Sequence, residues 1–304
     1  MSGSGSSSDS SLEYVDLNIT PVQSNVSLTK TDTDILVSVK ASPDIINDSD
    51  REVIGVAVLD KSGSMQGDAI SYAKQGVDYV LDNMSGKFTI IPYSTNVEVL
   101  RRDTVGTGFK FESIGDASSV RCPNVDFATL PADRDYLKES LEKVYAEDMT
   151  NYYGGVITAL RILKKKALEM KKKGTNLSLV SFIVLVLSDG HANSGQYSST
   201  HEIVSNLRKF IVSFDTEGLP TPTVHSIGFG SNVSEDLLRE TANIDVDIGI
   251  GDGQYKQVFN ADELPGVFGE LLGGAFISQT ARDLNIKFSV HNGAVLNEVK
   301  TFYK

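Results

Sequence analysis

Apolar residues recur along this chain in two alternating rhythms. Ile70, Ala73, Val77, Val80, Leu81 and Met84 fall at steps of three and four, which predicts an amphipathic helix over Gly67–Met84 with Asp68 as a candidate N-cap. The same spacing predicts helices over Ala132–Val144, Gly154–Lys173, Thr200–Phe214, Glu235–Ala242 and Asp262–Ile277. Between them lie short, nearly unbroken apolar runs, of which Glu52–Leu59 and Leu179–Leu187 are the clearest. Such runs suit central strands buried on both faces. Lys87–Tyr93, stopped by Pro92, Thr223–Gly228 and Asp245–Ile250 are further predicted strands, and Asn96–Arg102 is a candidate edge beside Lys87–Tyr93. Residues 103–131 show no clear period. Strands alternating with helices predict an α/β fold, a doubly wound and mostly parallel sheet with helices on both faces.

The two ends differ in character. Residues 1–13 are Ser/Gly-rich and read as a disordered tail. Residues 34–41 read as a strand. Near the other end Leu284, Ile286, Phe288 and Val290 alternate with polar residues, and Asn292-Gly293 offers a hairpin turn before Val295–Phe302. These strands do not fit the α/β rhythm. They are expected to join residues 34–41 in a small flanking β-sheet.

Composition narrows the function. Of 304 residues, 40% are hydrophobic and 22% charged, enough for a full core. The net charge of −12 argues against a nucleic-acid partner, whose binding rests on basic patches. The six lysines of 164–173 flank Ala167, Leu168 and Met170 at helical spacing and read as a solvated helix face. With one cysteine, Cys122, no intrachain disulfide forms. Neither a membrane span nor a signal peptide is evident, so the default expectation is a cytoplasmic protein without membrane insertion. Four histidines show no zinc spacing. The glycines of 249–253 lack the strand–helix context of a dinucleotide site and read as a turn.

The candidate chemistry lies in three short segments. In Val-Ala-Val-Leu-Asp-Lys-Ser-Gly-Ser-Met (56–65) an apolar run ends in Asp60, Ser62 and Ser64, all hard oxygen donors of the kind Mg²⁺ prefers. The carboxyl end of a strand is also where open α/β sheets collect ligands. The other two segments are Thr-Asn-Tyr-Tyr-Gly-Gly (150–155) and Ile-Val-Leu-Val-Leu-Ser-Asp-Gly (183–190). Taken together, their order and separation resemble the three loops of the metal-ion-dependent adhesion site in von Willebrand factor A domains, the family that includes integrin inserted domains. The segments around His225–Gly230 and Ala261–Phe268 are similar to that family's next strand and last helix. The resemblance covers roughly residues 51–278. It implies a domain over 51–278, preceded by a strand-bearing segment (14–50) and followed by C-terminal strands (279–304) of a flanking, truncated β domain.

The resemblance further implies that Ser62, Ser64 and Thr150 offer hydroxyl ligands to Mg²⁺ (or Mn²⁺ or Ca²⁺), with Asp60 and Asp189 binding directly or through water. It implies a partner protein that presents an Asp or Glu carboxylate to the open coordination position. Plainer readings stand beside each role: Ser62 and Ser64 as turn or helix caps, Thr150 as the N-cap of the helix near Gly154, Asp189 as a turn residue. Asp60 has the least plausible plain reading, since a buried carboxylate needs compensation. One departure from the family is Glu147-Asp148-Met149 before Thr150, where small residues are usual; Asp148 would add a carboxylate near the ion. Tyr152 and Tyr153 are candidates for the rim or the core, and His191 for the site or the surface. The leading expectation is a metal-dependent protein-binding module and not an enzyme. The alternatives are a structural or scaffolding domain that leaves its metal unused for ligand, or a metal-assisted hydrolase built on Asp60. Against the last, no nucleophile elbow or P-loop lysine pattern occurs.

Overall fold

The computed structural model describes residues 15–21, 35–41, 52–103, 108–117, 122–244 and 253–276. The chain divides into two compact units, Asn47–Ser278 and Met1–Ile46 with Gln279–Lys304. In the second of these, β1 (Val15–Pro21) pairs antiparallel with β2 (Ile35–Ala41), from Val15 opposite Ala41 to Pro21 opposite Ile35. β1 was not anticipated, although Val15, Leu17 and Ile19 alternate with polar residues. The expected C-terminal strands and the strand over Asp245–Ile250 lie outside the described residues.

In the larger unit the strands are β3 (Glu52–Asp60), β4 (Gly86–Tyr93), β5 (Glu98–Arg102), β6 (Phe109–Ser113), β7 (Ala128–Leu130), β8 (Val180–Ser188), β9 (Thr223–Phe229) and β10 (Tyr255–Val258). The helices are α1 (Asp68–Asn83), α2 (Arg134–Glu142), α3 (Tyr152–Lys172), α4 (Thr200–Thr216), α5 (Glu235–Ala242) and α6 (Leu264–Phe276). Six strands form one sheet in the order β10-β9-β8-β3-β4-β7. All neighbours are parallel except β7, which pairs antiparallel with the start of β4. This is the α/β doubly wound fold that the alternation predicts.

The two central strands show why their sequences are nearly all apolar. Ile54, Val56 and Val58 of β3, with Phe182, Val184 and Val186 of β8, face α3, α4 and α5. Ala57 and Leu59 of β3, with Ile183, Leu185 and Leu187 of β8, face α1, α2 and α6. Period-two alternation thus feeds two cores, and polar residues have no place on either side until the strands end.

Several local expectations are corrected. Pro92 does not stop β4; it pairs in register with Leu59. β4 has its β7 ladder only at Gly86–Phe88, so the missing N–H of Pro92 falls beyond it. The segment around Asn96–Arg102 is not an edge of the main sheet. It forms a separate antiparallel hairpin, β5 with β6, linked to β4 by a single bridge from Tyr93 to Val97. Asp68 is the first helical residue of α1 and Gly67 the N-cap, which places the Asp68 charge where the helix dipole favours it. α3 begins two residues before Gly154. Cys122 is half-buried, with its thiol directed at the carbonyl of Arg161. Among the described residues no helix is long and apolar enough to cross a membrane.

Candidate functional site

β3 and β8 are adjacent and parallel, so Asp60 and Asp189 emerge side by side at their carboxyl ends. The chain leaves β3 toward β4 on one side and reaches β8 on the other, which makes this edge a topological switch point. Asp60 is the last residue of β3 and is fully buried. Its Oδ1 accepts the Ser62 N–H at 2.8 Å. Its Oδ2 accepts two hydroxyls, Ser188 at 2.5 Å and Tyr93 at 3.1 Å. Tyr93 stands in register with Asp60 on the neighbouring strand. Burial pushes the Asp60 carboxyl up to about 6, with the nearby Asp189 charge acting in the same direction and the hydrogen bonds from Ser188 and Ser62 opposing.

After Asp60 the chain turns through a short 3₁₀ segment, Gly63–Met65. Ser62 occupies its N-cap position, yet its side chain makes no capping bond. The Ser62 hydroxyl lies 3.1 Å from that of Ser64, and Ser64 is exposed. Two hydroxyls side by side at the solvent boundary are available to a cation.

Thr150 sits two residues before α3, next to its N-cap Asn151, and is buried. Its hydroxyl is not the helix cap: Asn151 takes that role, its Oδ1 accepting the Gly154 N–H at 3.0 Å. The Asn151 amide also donates to the carbonyls of Asp116 (2.8 Å) and Thr95 (3.3 Å). Asp148, the departure noted above, is exposed and adopts a left-handed backbone at φ 61°. It is the Asp148 carbonyl that engages the first loop, accepting the Gly63 N–H at 2.9 Å.

The third loop completes the set. Asp189 is buried; its Oδ1 accepts the His191 N–H at 3.1 Å, and its carbonyl accepts the Ser234 N–H at 2.7 Å. Gly190 follows at φ 76°, where an added Cβ would lie 2.8 Å from the Ser234 carbonyl, so only glycine turns the chain here. The His191 imidazole lies 3.0 Å from the Asn232 carbonyl. Farther along, Asn193 Oδ1 accepts the Thr150 N–H at 2.7 Å, while the N–H groups of Asn193 and Ser194 both donate to the Thr150 carbonyl at 3.1 Å. The three loops are therefore bonded to one another: first to third through Asp60–Ser188, first to second through Gly63–Asp148, second to third through Thr150–Asn193.

Lys61 adds a further tie. Its side chain is buried and pairs with Glu98 of β5 (2.9 Å) and with Glu147. Its carbonyl accepts the Glu147 N–H at 2.7 Å. Ser188, Tyr93, Asn151, Asn193 and Lys61 were given no role from sequence. Ser188, Asn151 and Lys61 lie within the three motif segments, and Asn151 caps its own helix, whereas Tyr93 and Asn193 act across the fold and carry no local signal. Tyr152 and Tyr153 both pack inside, Tyr152 donating to Thr241 Oγ1 at 3.0 Å and Tyr153 stacked edge-on to Tyr197 with centroids 4.7 Å apart. The exposed apolar side chains beside the site are instead Tyr145 (72% exposed) and Met149 (50%).

The donor set is suited to a hard divalent cation. Two buried carboxylates stand close together, and among the described residues neither forms an ion pair with Lys, Arg or His. Three hydroxyl side chains, Ser62, Ser64 and Thr150, accompany them. No group of three or more His, Cys, Asp or Glu side chains is gathered for a metal among the described residues, so any cation here must be held largely by neutral oxygens. Oδ2 of Asp60 already accepts two hydroxyls, and Oδ1 accepts only the Ser62 N–H, so Oδ1 is the less occupied oxygen. A hollow of about 870 Å³ between α4 and α5 is lined by none of these five residues.

The sheet order and the helices on both faces give a fold of the von Willebrand factor A type. Among solved structures the chain is similar to a von Willebrand factor type A protein from Catenulispora acidiphila, with a TM-score of 0.52 and 15% identity over 80% of this chain. It spans 45% of that protein's length. Weaker similarities are to the PilB minor pilin from Streptococcus sanguinis (TM-score 0.47, 12% identity, 86% of this chain and 78% of that one) and to the human COPII-coat protein Sec24c (0.48, 8%, 73% and 32%). At these identities the likeness is one of fold. No protein-family model matches the sequence, and no curated protein matches it either.

Proposed function

We propose that this chain is a protein-binding module in which a divalent cation, Mg²⁺ in the first instance, receives a carboxylate from a partner protein. Ser62, Ser64 and Thr150 hold the ion through hydroxyls, and Asp60 and Asp189 offset its charge. When bound, the ion supplies an electropositive point with an exchangeable coordination position. The chain's own residues do the rest: Ser188 and Tyr93 orient Asp60, Lys61 ties the segment before Thr150 to the first loop, and Asn193 ties Thr150 to the third. The role is recognition, not catalysis. The observation that carries this reading is the mutual bonding of the three loops at the carboxyl ends of β3 and β8, which brings five oxygen side chains to one edge.

The scaffolding alternative draws on one observation, that Asp60 already accepts three hydrogen bonds from protein groups. Calorimetric titration with Mg²⁺ and Mn²⁺ separates the two. One saturable site is expected, lost in the double variant Asp60→Ala, Ser62→Ala. Equal affinity in the double variant would refute the assignment, and a metal site that no carboxylate peptide perturbs would favour the scaffold.

A further inference from the structure

Beside the three loops, a groove of about 470 Å³ runs along α1 toward the end of α2. Its walls are Gln66, Ile70, Lys74 and Asp78 on one side and Glu142, Val144 and Tyr145 on the other. Both walls are continuous with the proposed metal loops. Gln66 follows Met65 directly, and Tyr145 lies five residues before Thr150.

Two independent features mark this groove. The first is apolar. Of the large hydrophobic side chains exposed among the described residues, Tyr145 and Met149 both stand on the segment that joins the groove to Thr150. The second is a charge without a partner. Asp78 lines the groove, and its Oδ1 is shielded from water with no hydrogen-bond partner. Burial raises its carboxyl above the ordinary value; Lys138 and Lys74 pull the other way against Glu142 and Asp82, and among the described residues no cation forms an ion pair with it. Lys74 is engaged with Glu142, through the side chain at 3.5 Å and the carbonyl at 3.1 Å, and Lys138 is engaged with Asp82. With Glu142 and Lys74 cancelling, the groove keeps one uncompensated negative charge. A half-buried, unpaired carboxylate is costly, and a cation brought to it relieves that cost. The open face of Tyr145 suits the same kind of ligand, as Lys74 already stands 5.7 Å from its ring centre.

We infer that this groove is a second subsite of the same interaction surface and takes a lysine or arginine side chain from the segment whose acidic residue enters the metal site. The inference rests on the proposed function and specifies its partner: an extended segment with an acidic residue, an apolar residue against Met149 and Tyr145, and a basic residue farther along. The first metal loop ends at Met65, three residues before α1 starts at Asp68, and from Asp68 to Asp78 is ten residues of helix, or about 15 Å at 1.5 Å per residue. An extended chain covers that distance in four or five residues at about 3.3 Å each. Allowing for the reach of the side chains, the acid and the base stand three to six positions apart.

The test is selection from a random dodecapeptide display library on the full chain in Mg²⁺, run in parallel on Asp78→Asn and on wild type in chelator. Wild type is expected to enrich peptides with Asp or Glu and a Lys or Arg at that spacing. Asp78→Asn should keep the acid and lose the preference for the base. A synthetic copy of the leading peptide should bind Asp78→Asn about tenfold more weakly, the scale of a desolvated charge pair. The thermal midpoint of Asp78→Asn should equal or exceed wild type, because no folded-state partner is lost; a clear drop would assign Asp78 a structural role and overturn the inference. Peptides with the acid but no spaced base, a preference for the base that survives Asp78→Asn, or no enrichment at all would each overturn it as well. Enrichment of the base without the acid, unchanged by chelator, would keep the groove and refute the metal-dependent reading instead.

Discussion

Asp60 and Asp189 end neighbouring parallel strands, yet the protein treats them differently. Asp60 lies at the centre of the sheet between β4 and β8, and three donors from three segments close around it. Asp189 stands one residue beyond its strand, with one backbone donor to its carboxylate. The difference teaches that one step past the end of a strand decides whether a carboxylate belongs to the core or to the loop. Burial holds the Asp60 carboxyl well above its ordinary value, at about 6. A cation at this edge changes the situation of Asp60 most, since it supplies the positive charge that burial denies.

The sharpest way to break this comparison is to neutralise each carboxylate in the absence of metal. Without a cation, the folded-state value of about 6 against 3.8 means that Asp60 favours folding when protonated. Its contribution is intact below pH 3.8 and is lost as pH rises through about 6. At pH 7 the deficit is about 3 kcal/mol on the scale of 1.36 kcal/mol per unit. Asp60→Asn in chelator should therefore raise stability at pH 7 by roughly 2–3 kcal/mol and abolish metal binding, a trade of stability for function. Asp189→Asn keeps an acceptor for the His191 N–H and should raise stability less than Asp60→Asn, while also weakening metal binding. Urea denaturation of the two variants in chelator measures both; equal effects would erase the distinction.

A second titration of opposite sign sharpens the same experiment. His225 on β9 is buried, which lowers its imidazole to about 4, and its Nδ1 accepts the Gln254 N–H at 3.2 Å in the neutral form. The unfolded chain takes up the proton first. Stability from this group is therefore intact above the ordinary value of 6.5 and is lost as pH falls toward about 4. Its full extent is of the same order, roughly 3 kcal/mol. Across this window Asp60 and His225 offset each other in the metal-free protein. His225→Gln should expose the Asp60 slope, with stability falling as pH rises from 4 to 6. A denaturation midpoint that stays flat in that variant would remove one of the two assignments.

The smallest expected effect concerns the contact between the second and third loops. Asn193→Ala leaves the part-buried Thr150 N–H without its acceptor and should cost about 1–2 kcal/mol. Metal affinity should fall with it, since the Thr150 hydroxyl is held by that loop. Wild-type affinity in Asn193→Ala would show that the second loop is positioned by Asn151 and Lys61 alone.

Much of the fold was legible because burial on both faces leaves a plain trace. β3 and β8 are apolar at every position that feeds either core, and α1, α3 and α4 repeat at helical steps. The edges were not legible. β10 reads Tyr-Lys-Gln-Val and β7 has three residues, so neither carries a period. The β5–β6 hairpin was misassigned because an apolar edge sequence does not state which neighbour it pairs with. At the site, motif order located Asp60, Ser62, Ser64, Thr150 and Asp189 at one edge of the sheet. The support around them was invisible, because Tyr93 reaches Asp60 across a ladder, Asn193 reaches Thr150 across 43 positions, and Lys61 selects Glu98 and Glu147 among forty acids.

The bonding of Thr150 to Asn193 and Ser194 has a mechanical consequence. At Gly195, φ 90°, an added Cβ would lie 2.0 Å from the Asn151 carboxamide oxygen, so only glycine lets the third loop pass this close to the cap of α3. Thr150 cannot move alone. It takes the 193–195 segment and the first turn of α3 along, as a single lever whose far arm is a helix of 21 residues.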